Sequence, residues 1–231
     1  MNHCSLKMPI FSYSIAGFGL LYYFVSDFTG ILSLPPLFRM LLLVFVCFCA
    51  YLGSVSLCKT AKNPQKIMKT TFWGFFVLYI WFLITLVCFD DYFSRVGFDR
   101  LSSWNAKAFA DYLQTRLNLV PFKTIGLFVK AIFIESDITA RQIITNLLGN
   151  LAAFAPFAFF LPLLFDKFKR FGCFLLVMIG IVTAVELMQF ALLTGYCEVD
   201  DLILNVGGAA ILYWILRIKM VKAVVDKLVK C

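Results

Sequence analysis

Carboxylate and amide side chains recur in three short stretches of an otherwise apolar chain. Glu186 and Gln189 lie in VELMQF, at the end of a long uncharged run, and Asn146 and Asn150 lie in TNLLGN. The stretch EVDDLILN contributes Glu198, Asp200, Asp201 and Asn205. A carboxylate can act as a general acid or base, a group of carboxylates can hold a divalent cation, and amides can both donate and accept hydrogen bonds. These residues are therefore the first candidates for chemistry.

The composition shows which solvent surrounds them. Of 231 residues, 62% are hydrophobic and 15% are charged, and the mean hydropathy is +0.90. A soluble domain is roughly half apolar and about a quarter charged. Apolar blocks of about 20 residues must be helices in a bilayer, because each backbone amide needs a partner within its own segment. The sequence predicts an all-α, polytopic transmembrane bundle in a cell membrane.

Six apolar blocks are long enough to cross a bilayer. They are residues 9–34, 37–58, 71–89, 142–165, 171–194 and 202–218. The first block could be a signal peptide, but its apolar part is too long and only Lys7 precedes it as a fixed charge. We interpret it as a retained helix.

Charge asymmetry predicts the orientation. With a cytoplasmic N-terminus, the cytoplasmic segments hold 13 Lys and Arg residues and two acids, whereas the opposite side holds eight cations and ten acids. Short loops that are rich in Lys and Arg stay cytoplasmic, so both termini are predicted to be cytoplasmic. The net charge of +8 thus reflects topology, and we expect no nucleic-acid partner.

Four regions follow from this topology. They are a three-helix membrane region (1–90), a long extracytoplasmic loop (91–141), a region with the polar stretches and the last three helices (116–218, overlapping the loop), and a basic cytoplasmic tail (219–231) that is expected to rest on anionic lipid headgroups.

The polar residues are predicted to lie at one depth. With a rise of ~1.5 Å per residue, Asn150 and Glu186 both lie about 12 Å below the outer boundary. Ionisable residues within a membrane almost always face a partner or a wet cavity. We therefore expect Glu186 to face the side chains of Asn146, Asn150 and Asn205. The expected polar pocket consists of Asn146, Asn150, Glu186, Gln189, Asp200, Asp201 and Asn205.

The stretch CEVDDLILNVGG allows two interpretations. Asp200 or Asp201 could simply cap the helix that follows, because carboxylates are favourable at a helix N-terminus. Three carboxylates within four residues are more than a cap requires, so Glu198, Asp200 and Asp201 are also candidates for a metal site. Gly207 and Gly208 are expected to allow close helix contact.

The stretch RLNLVPFKTI lies in the predicted outer loop. Pro121 prevents a continuous helix, and the alternation of apolar and polar residues suits a segment at the membrane interface. Arg116, Lys123 and Arg141 are then candidates for contacts with a phosphate or a lipid headgroup. Any interfacial loop would carry such residues, which is the simpler explanation.

Together these motifs resemble the VanZ-like family of bacterial membrane proteins. The resemblance rests on RLNLVPFKTI, TNLLGNLAAFAPFAFFLP, VELMQ and EVDDLILNVGG, in this order, from residue 116 to about residue 213. The family pattern falls on Asn146, Asn150, Phe154, Pro156, Phe157, Glu186, Gln189, Asp200, Asp201, Asn205 and Gly208. Two positions depart from it: Ala158 replaces a common Gly, and Tyr196 stands near the place of a frequent Arg.

The resemblance implies a multi-pass envelope protein connected with susceptibility to glycopeptides, teicoplanin in particular. Three function classes remain open. One is a non-catalytic protein whose pocket binds membrane lipids or a lipid-linked cell-wall precursor. The second is an enzyme with Glu186 as acid or base, although no HExxH, P-loop or GxSxG motif occurs. The third is a transporter. We favour the non-catalytic class, and no cofactor is expected.

Overall fold

The computed structural model describes residues 3–29, 34–89, 105–133, 138–193 and 195–230. Ten helices occur in these ranges. They are α1 (His3–Thr29), α2 (Pro36–Cys58), α3 (Pro64–Ile84), α4 (Ala106–Thr115), α5 (Lys123–Phe133), α6 (Ala140–Ala153), α7 (Phe157–Leu164), α8 (Phe171–Ala191), α9 (Val199–Ile215) and α10 (Lys219–Val229). A short π-helix, Thr85–Phe89, follows α3, and a 3₁₀ turn, Asp166–Lys169, precedes α8. The predicted all-α class is confirmed.

The long apolar helices agree with the predicted spans. Five stretches are long and apolar enough to cross a membrane: Met8–Ser26, Pro36–Cys58, Pro64–Val87, Ala140–Leu164 and Phe171–Ala191. Counted together, α9 and α10 would form a sixth, although a bend separates them. The third span begins seven residues earlier than predicted, because Asn63 caps the helix by accepting from the Lys66 amide at 3.2 Å and Pro64 occupies the first turn.

The chain divides into two compact units. One comprises Met1–Leu86 with Lys222–Cys231, and the other comprises Val87–Val221. The long loop predicted at 91–141 falls in the second unit, where residues 90–104 and 134–137 lie outside the described part.

In the first unit, hydroxyl groups connect the three helices. The Ser54 hydroxyl of α2 bonds to Tyr13 of α1 at 2.9 Å and to Thr71 of α3 at 2.7 Å. Ser54 is fully buried, so these bonds satisfy a polar group that would otherwise be costly in an apolar interior. Cys58, the last residue of α2, is disulfide-bonded.

In the second unit, α9 packs against α6, α7 and α8. Gly208 of α9 lies directly on the backbone of Leu151 in α6: an added Cβ would be 2.8 Å from the Leu151 Cα and closer still to its carbonyl oxygen. Gly207, in contrast, has nothing within 4 Å of such a Cβ. The expected close helix contact is therefore made by Gly208.

At the opposite end of α9, Tyr213 ties that helix to the start of α8. Its ring stacks on Phe174 at 4.5 Å, and its hydroxyl donates to the Lys169 carbonyl at 2.7 Å. The Arg217 guanidinium also lies over this ring, with its central carbon 3.2 Å from the ring centroid. Tyr213 thus anchors the C-terminal end of α9 by packing. The polar residues Asp200, Asp201 and Asn205 lie in the first two turns of the same helix.

Candidate functional site

Two very short strands join the two polar loops of the second unit. β1 (Leu117–Asn118) pairs in parallel with β2 (Cys197–Glu198), and the Cys197 amide donates to the Arg116 carbonyl at 3.0 Å. This pairing could not be predicted from the sequence, because two residues are too few for an alternating pattern. As a result, the segment before α5 lies beside the segment before α9.

Asp200 connects the same two segments through its side chain. Its carboxylate accepts hydrogen bonds from the backbone amides of Phe122 at 2.5 Å, Thr124 at 2.8 Å and Ile125 at 3.0 Å. Thr124 and Ile125 lie in the first turn of α5, where backbone amides have no partner within the helix, and Phe122 immediately precedes that helix. Asp200 is only 1% exposed, and the amides offset the cost of burying its charge.

The backbone that presents these amides is unusual. Phe122 has φ 62°, a left-handed conformation that few residues other than glycine adopt. Pro121 precedes it, and Asn118 stabilises the turn by accepting from the Val120 amide at 3.3 Å. The predicted break at Pro121 is thus present, and its geometry fits the carboxylate of Asp200.

Asp200 therefore differs from the sequence-based expectation. It does not cap its own helix, since the N-cap residue of α9 is Glu198, which makes no side-chain capping bond. Asp201 faces another partner, Asn150. Within the described ranges, no group of three or more His, Cys, Asp or Glu side chains is arranged to hold a metal ion. Glu198, Asp200 and Asp201 thus diverge in their contacts.

Asp201 joins α9 to α6. Its carboxylate accepts a short hydrogen bond from the Asn150 side chain, and its backbone carbonyl accepts from the Asn205 side-chain amide at 2.8 Å. Asn205 is 3% exposed, and its side-chain oxygen is buried without a hydrogen-bond partner among the described residues. A buried acceptor of this kind costs free energy unless a donor reaches it.

Glu186 of α8 and Asp201 of α9 both act on one neighbouring group, the Cys197 thiol. Their carboxylates are close enough to that thiol to act on its pKa, as is the carboxylate of Glu198. Burial is the main reason why the pKa of Cys197 is raised, and these three carboxylates raise it further. We call Asn150, Glu186, Asp201 and Asn205 the polar cluster. Its side chains come from α6, α8 and α9.

Two amides have partners other than those expected. The Asn146 side chain donates to the Gln142 carbonyl of its own helix at 2.9 Å. The Gln189 side chain is buried and donates to the Val87 carbonyl at 3.0 Å. Val87 lies in the π-helix, where the helical bonding pattern changes. The side-chain amides of Asn150 and Asn205 both donate to Asp201, the first to its carboxylate and the second to its backbone carbonyl.

Comparison with known proteins places this arrangement in a family. The profile of the VanZ/LLP1 family matches residues 76–220. This chain belongs to the VanZ/LLP1 family. No curated protein and no solved structure shows significant similarity to the chain.

The VanZ/LLP1 match covers all of the contacts described for the candidate site, from Val87 to Asn205. Other residues of the family pattern have packing roles. The rings of Phe154 and Phe157 are buried and stack at 6.0 Å, on either side of the break at Pro156 that separates α6 from α7. These positions shape the helix that carries Asn150 and need no ligand to explain them.

Two of the candidate cations lie around the strand pair. The Arg116 guanidinium stacks over Tyr196, with its central carbon 5.6 Å from the ring centroid. Lys123 is exposed at the start of α5 and lowers the pKa of Glu198, a group whose pKa is nevertheless raised, mainly by burial. Within the described residues neither cation has a carboxylate within salt-bridge distance. The third candidate, Arg141, is exposed near the start of α6.

Proposed function

We propose that this VanZ/LLP1 family protein is a multi-pass protein of the bacterial cell membrane that binds the headgroup of a lipid or of a lipid-linked cell-wall precursor. The headgroup occupies the polar cluster of Asn150, Glu186, Asp201 and Asn205, and it is not chemically changed. By holding such molecules at the outer surface, the protein alters the susceptibility of the cell to glycopeptides such as teicoplanin.

The observation that carries this proposal is the environment of Asp201. Its carboxylate and the buried oxygen of Asn205 belong to a helix that packs against two membrane-type helices, and a second carboxylate, Glu186, acts together with Asp201 on the pKa of the Cys197 thiol. Carboxylates in such a place face either a partner or a wet cavity. Hydrogen-bond donors of a headgroup would meet acceptors from α8 and α9 at once.

The position of the cluster supports access from the outer surface. Asn150 lies in the α6 half of the fourth span, Glu186 lies in the last two turns of α8, and Asp201 lies in the first turn of α9. The charge distribution predicts that these ends are extracytoplasmic. Glycopeptides act on that side, and so a protein that covers or orders headgroups there would change their access.

Drug susceptibility and lipid composition test the proposal together. Wild type, Glu186→Gln, Asp201→Asn and the matched control Asp111→Asn, an exposed carboxylate on α4, are produced in a susceptible host at equal membrane levels. We expect wild type and Asp111→Asn to change the inhibitory concentration of teicoplanin, and the two cluster variants to lose most of this effect.

Extraction of the lipid-linked precursors from the same strains separates binding from catalysis. Unchanged precursor chemistry together with Asp201-dependent susceptibility supports the binding function. A precursor modification that appears with wild type and disappears in Glu186→Gln would overturn it in favour of an enzyme. Equal susceptibility in all strains, including one without the protein, would also contradict the proposal.

A further inference from the structure

α10 divides its residues into a charged side and an apolar side. With 3.6 residues per turn, every charged residue of the helix falls on one side: Lys219, Lys222, Asp226 and Lys227. Lys230 continues this side, because its amide donates to the Asp226 carbonyl at 3.2 Å in the helical pattern. The other side carries only large apolar side chains: Met220, Val221, Val224, Val225, Leu228 and Val229. Such a division is typical of helices that lie in a membrane interface.

Only part of the apolar side packs against the protein. One row of side chains, four residues apart, is half-buried: Val221, Val225 and Val229. A second row, also four residues apart, stays exposed over the length of the helix: Met220 at 80%, Val224 at 58% and Leu228 at 47%. A continuous apolar row of this kind marks a surface that a membrane or a partner covers.

The charges of α10 indicate which of these covers it. All four lysines on its charged side are exposed, and one aspartate is the only acid there. In the part of the chain that the structure describes, none of these lysines takes part in a salt bridge. Basic residues beside an apolar face complement the negative phosphates of an anionic lipid surface.

The length of α10 excludes a membrane-crossing orientation. With a rise of ~1.5 Å per residue, the helix is about 16 Å long, roughly half the thickness of a hydrocarbon core. Its charged side runs over this whole length, so crossing would take lysines into the acyl chains. Within the first unit, the Tyr51 hydroxyl of α2 donates to the Leu228 carbonyl at 3.1 Å, which fixes the last turn of α10.

We propose that α10 is an interfacial helix that binds an anionic phospholipid surface on the side of the membrane that the charge distribution assigns to the cytoplasm. Met220, Val224 and Leu228 enter the boundary of the acyl chains, and the lysines contact lipid phosphates. Insertion therefore depends on the negative charge of the leaflet. The proposal goes beyond the proposed function and involves no residue of the polar cluster.

The test places an environment-sensitive fluorescent amino acid at position 224 of the full-length protein in nanodiscs. The matched control carries it at Ala223, which is also exposed but lies on the charged side. Lipids with brominated chains quench a fluorophore among acyl chains, and acrylamide quenches one in water. In phosphatidylcholine mixed with phosphatidylglycerol, we expect lipid quenching at 224 and acrylamide quenching at 223. In phosphatidylcholine alone, most of the lipid quenching at 224 should be lost.

Lysine variants test the role of charge. Each lysine near an anionic leaflet contributes roughly a fivefold factor to binding. Glutamine at all four lysines on the charged side should therefore reduce lipid quenching at 224 in the mixed nanodiscs to the level in phosphatidylcholine alone. Arginine at the same positions should preserve it. The matched control has glutamine at four exposed lysines outside α10 and should behave as wild type: Lys59, Lys62, Lys66 and Lys69.

Each outcome supports or overturns the proposal. Lipid quenching at 224 but not at 223, which requires both phosphatidylglycerol and the lysines, supports it. Raised ionic strength should weaken the same signal in the protein without lysine substitutions, and this measurement decides if a lysine variant does not fold. Equal quenching at the two positions, or lipid quenching at 224 that ignores lipid charge, overturns the proposal. Protection of 224 from both quenchers also overturns it, because a second copy or another protein then covers this face.

Discussion

At the scale of single residues, Asp200 and Asp201 have separate tasks although they are neighbours in the chain. Asp200 is buried against the backbone amides of the turn before α5, whereas Asp201 faces Asn150 across the α6–α9 contact. Sequence reasoning placed both in one pocket. The different partners of the two residues could not be predicted, because the Asp200 carboxylate binds backbone amides 75 to 78 residues earlier in the chain. Almost every residue has such an amide, so no residue type identifies the partner.

Asp200→Asn tests the structural task. The asparagine has the same shape but no charge, so three hydrogen bonds to a charged acceptor are weakened or lost. We expect the free energy of unfolding to fall by about 1.5–3 kcal/mol. Heating the purified protein and measuring the fraction that stays monodisperse gives the shift in melting temperature. Asp111→Asn should leave it unchanged, and an equal melting temperature for Asp200→Asn would show that these bonds do not stabilise the loop.

Glu198 makes stability depend on pH. Burial raises its pKa above the ordinary value of 4.5, and bonding to Thr124 and the charge of Lys123 only partly oppose this. The folded protein therefore holds a proton at Glu198 more tightly than the unfolded chain does. This contribution is complete below pH 4.5 and is lost as the pH rises through the raised pKa of the folded state.

The melting temperatures of wild type and Glu198→Gln, measured from pH 4.5 upwards, test this dependence. Glutamine cannot ionise, so the variant should lack the part of the fall in melting temperature that Glu198 causes in wild type. Parallel curves for the two proteins would mean that the carboxylate is no more buried than in the unfolded chain.

At the scale of elements, the crossing of α6 and α9 holds the polar cluster together. Gly208 allows the two backbones to touch at Leu151, one residue after Asn150. Gly208→Ala must push the helices apart and should destabilise the protein by about 1–3 kcal/mol, with loss of the Asn150–Asp201 bond. Gly207→Ala is the matched control, because nothing lies near its Cβ and alanine favours helix by about 0.5–1 kcal/mol. Thermal stability of the two variants should therefore change in opposite directions, and a similar loss in both would argue against the close crossing.

The helices and the strand pair also show how much of the fold could be predicted from the sequence. Five of the six predicted spans follow from the length of their apolar runs alone, because the thickness of the bilayer sets a minimum length for a helix that crosses it. The early start of α3 was missed because its first turns carry Lys66 and Lys69, which a search for apolar residues excludes. The strand pair was missed because it is two residues long, and the turn at Phe122 because only tertiary contacts stabilise a positive φ at a bulky residue.

At the scale of the whole molecule, the family match and the polar contacts concern the same part of the chain. The VanZ/LLP1 profile covers residues 76–220, and the second compact unit comprises Val87–Val221. The sequence predicts one depth for the polar side chains of α6, α8 and α9, because depth along a span follows from helical rise. It could not predict which amide faces which carboxylate, since rotation about each helix axis depends on packing.

The alkylation rate of Cys197 tests the central claim that Glu186 and Asp201 lie together at the extracytoplasmic end. The thiolate is the reactive form, and the neighbouring carboxylates together with burial raise the pKa of Cys197. In a variant with Cys197 as its only cysteine, a membrane-impermeant maleimide added to intact cells should react slowly. With Glu186→Gln it should react faster, with a pH dependence shifted to lower pH, while Asp111→Asn changes nothing. An unchanged rate and pH dependence in Glu186→Gln, or reaction only from the cytoplasmic side of inverted vesicles, would contradict the claim.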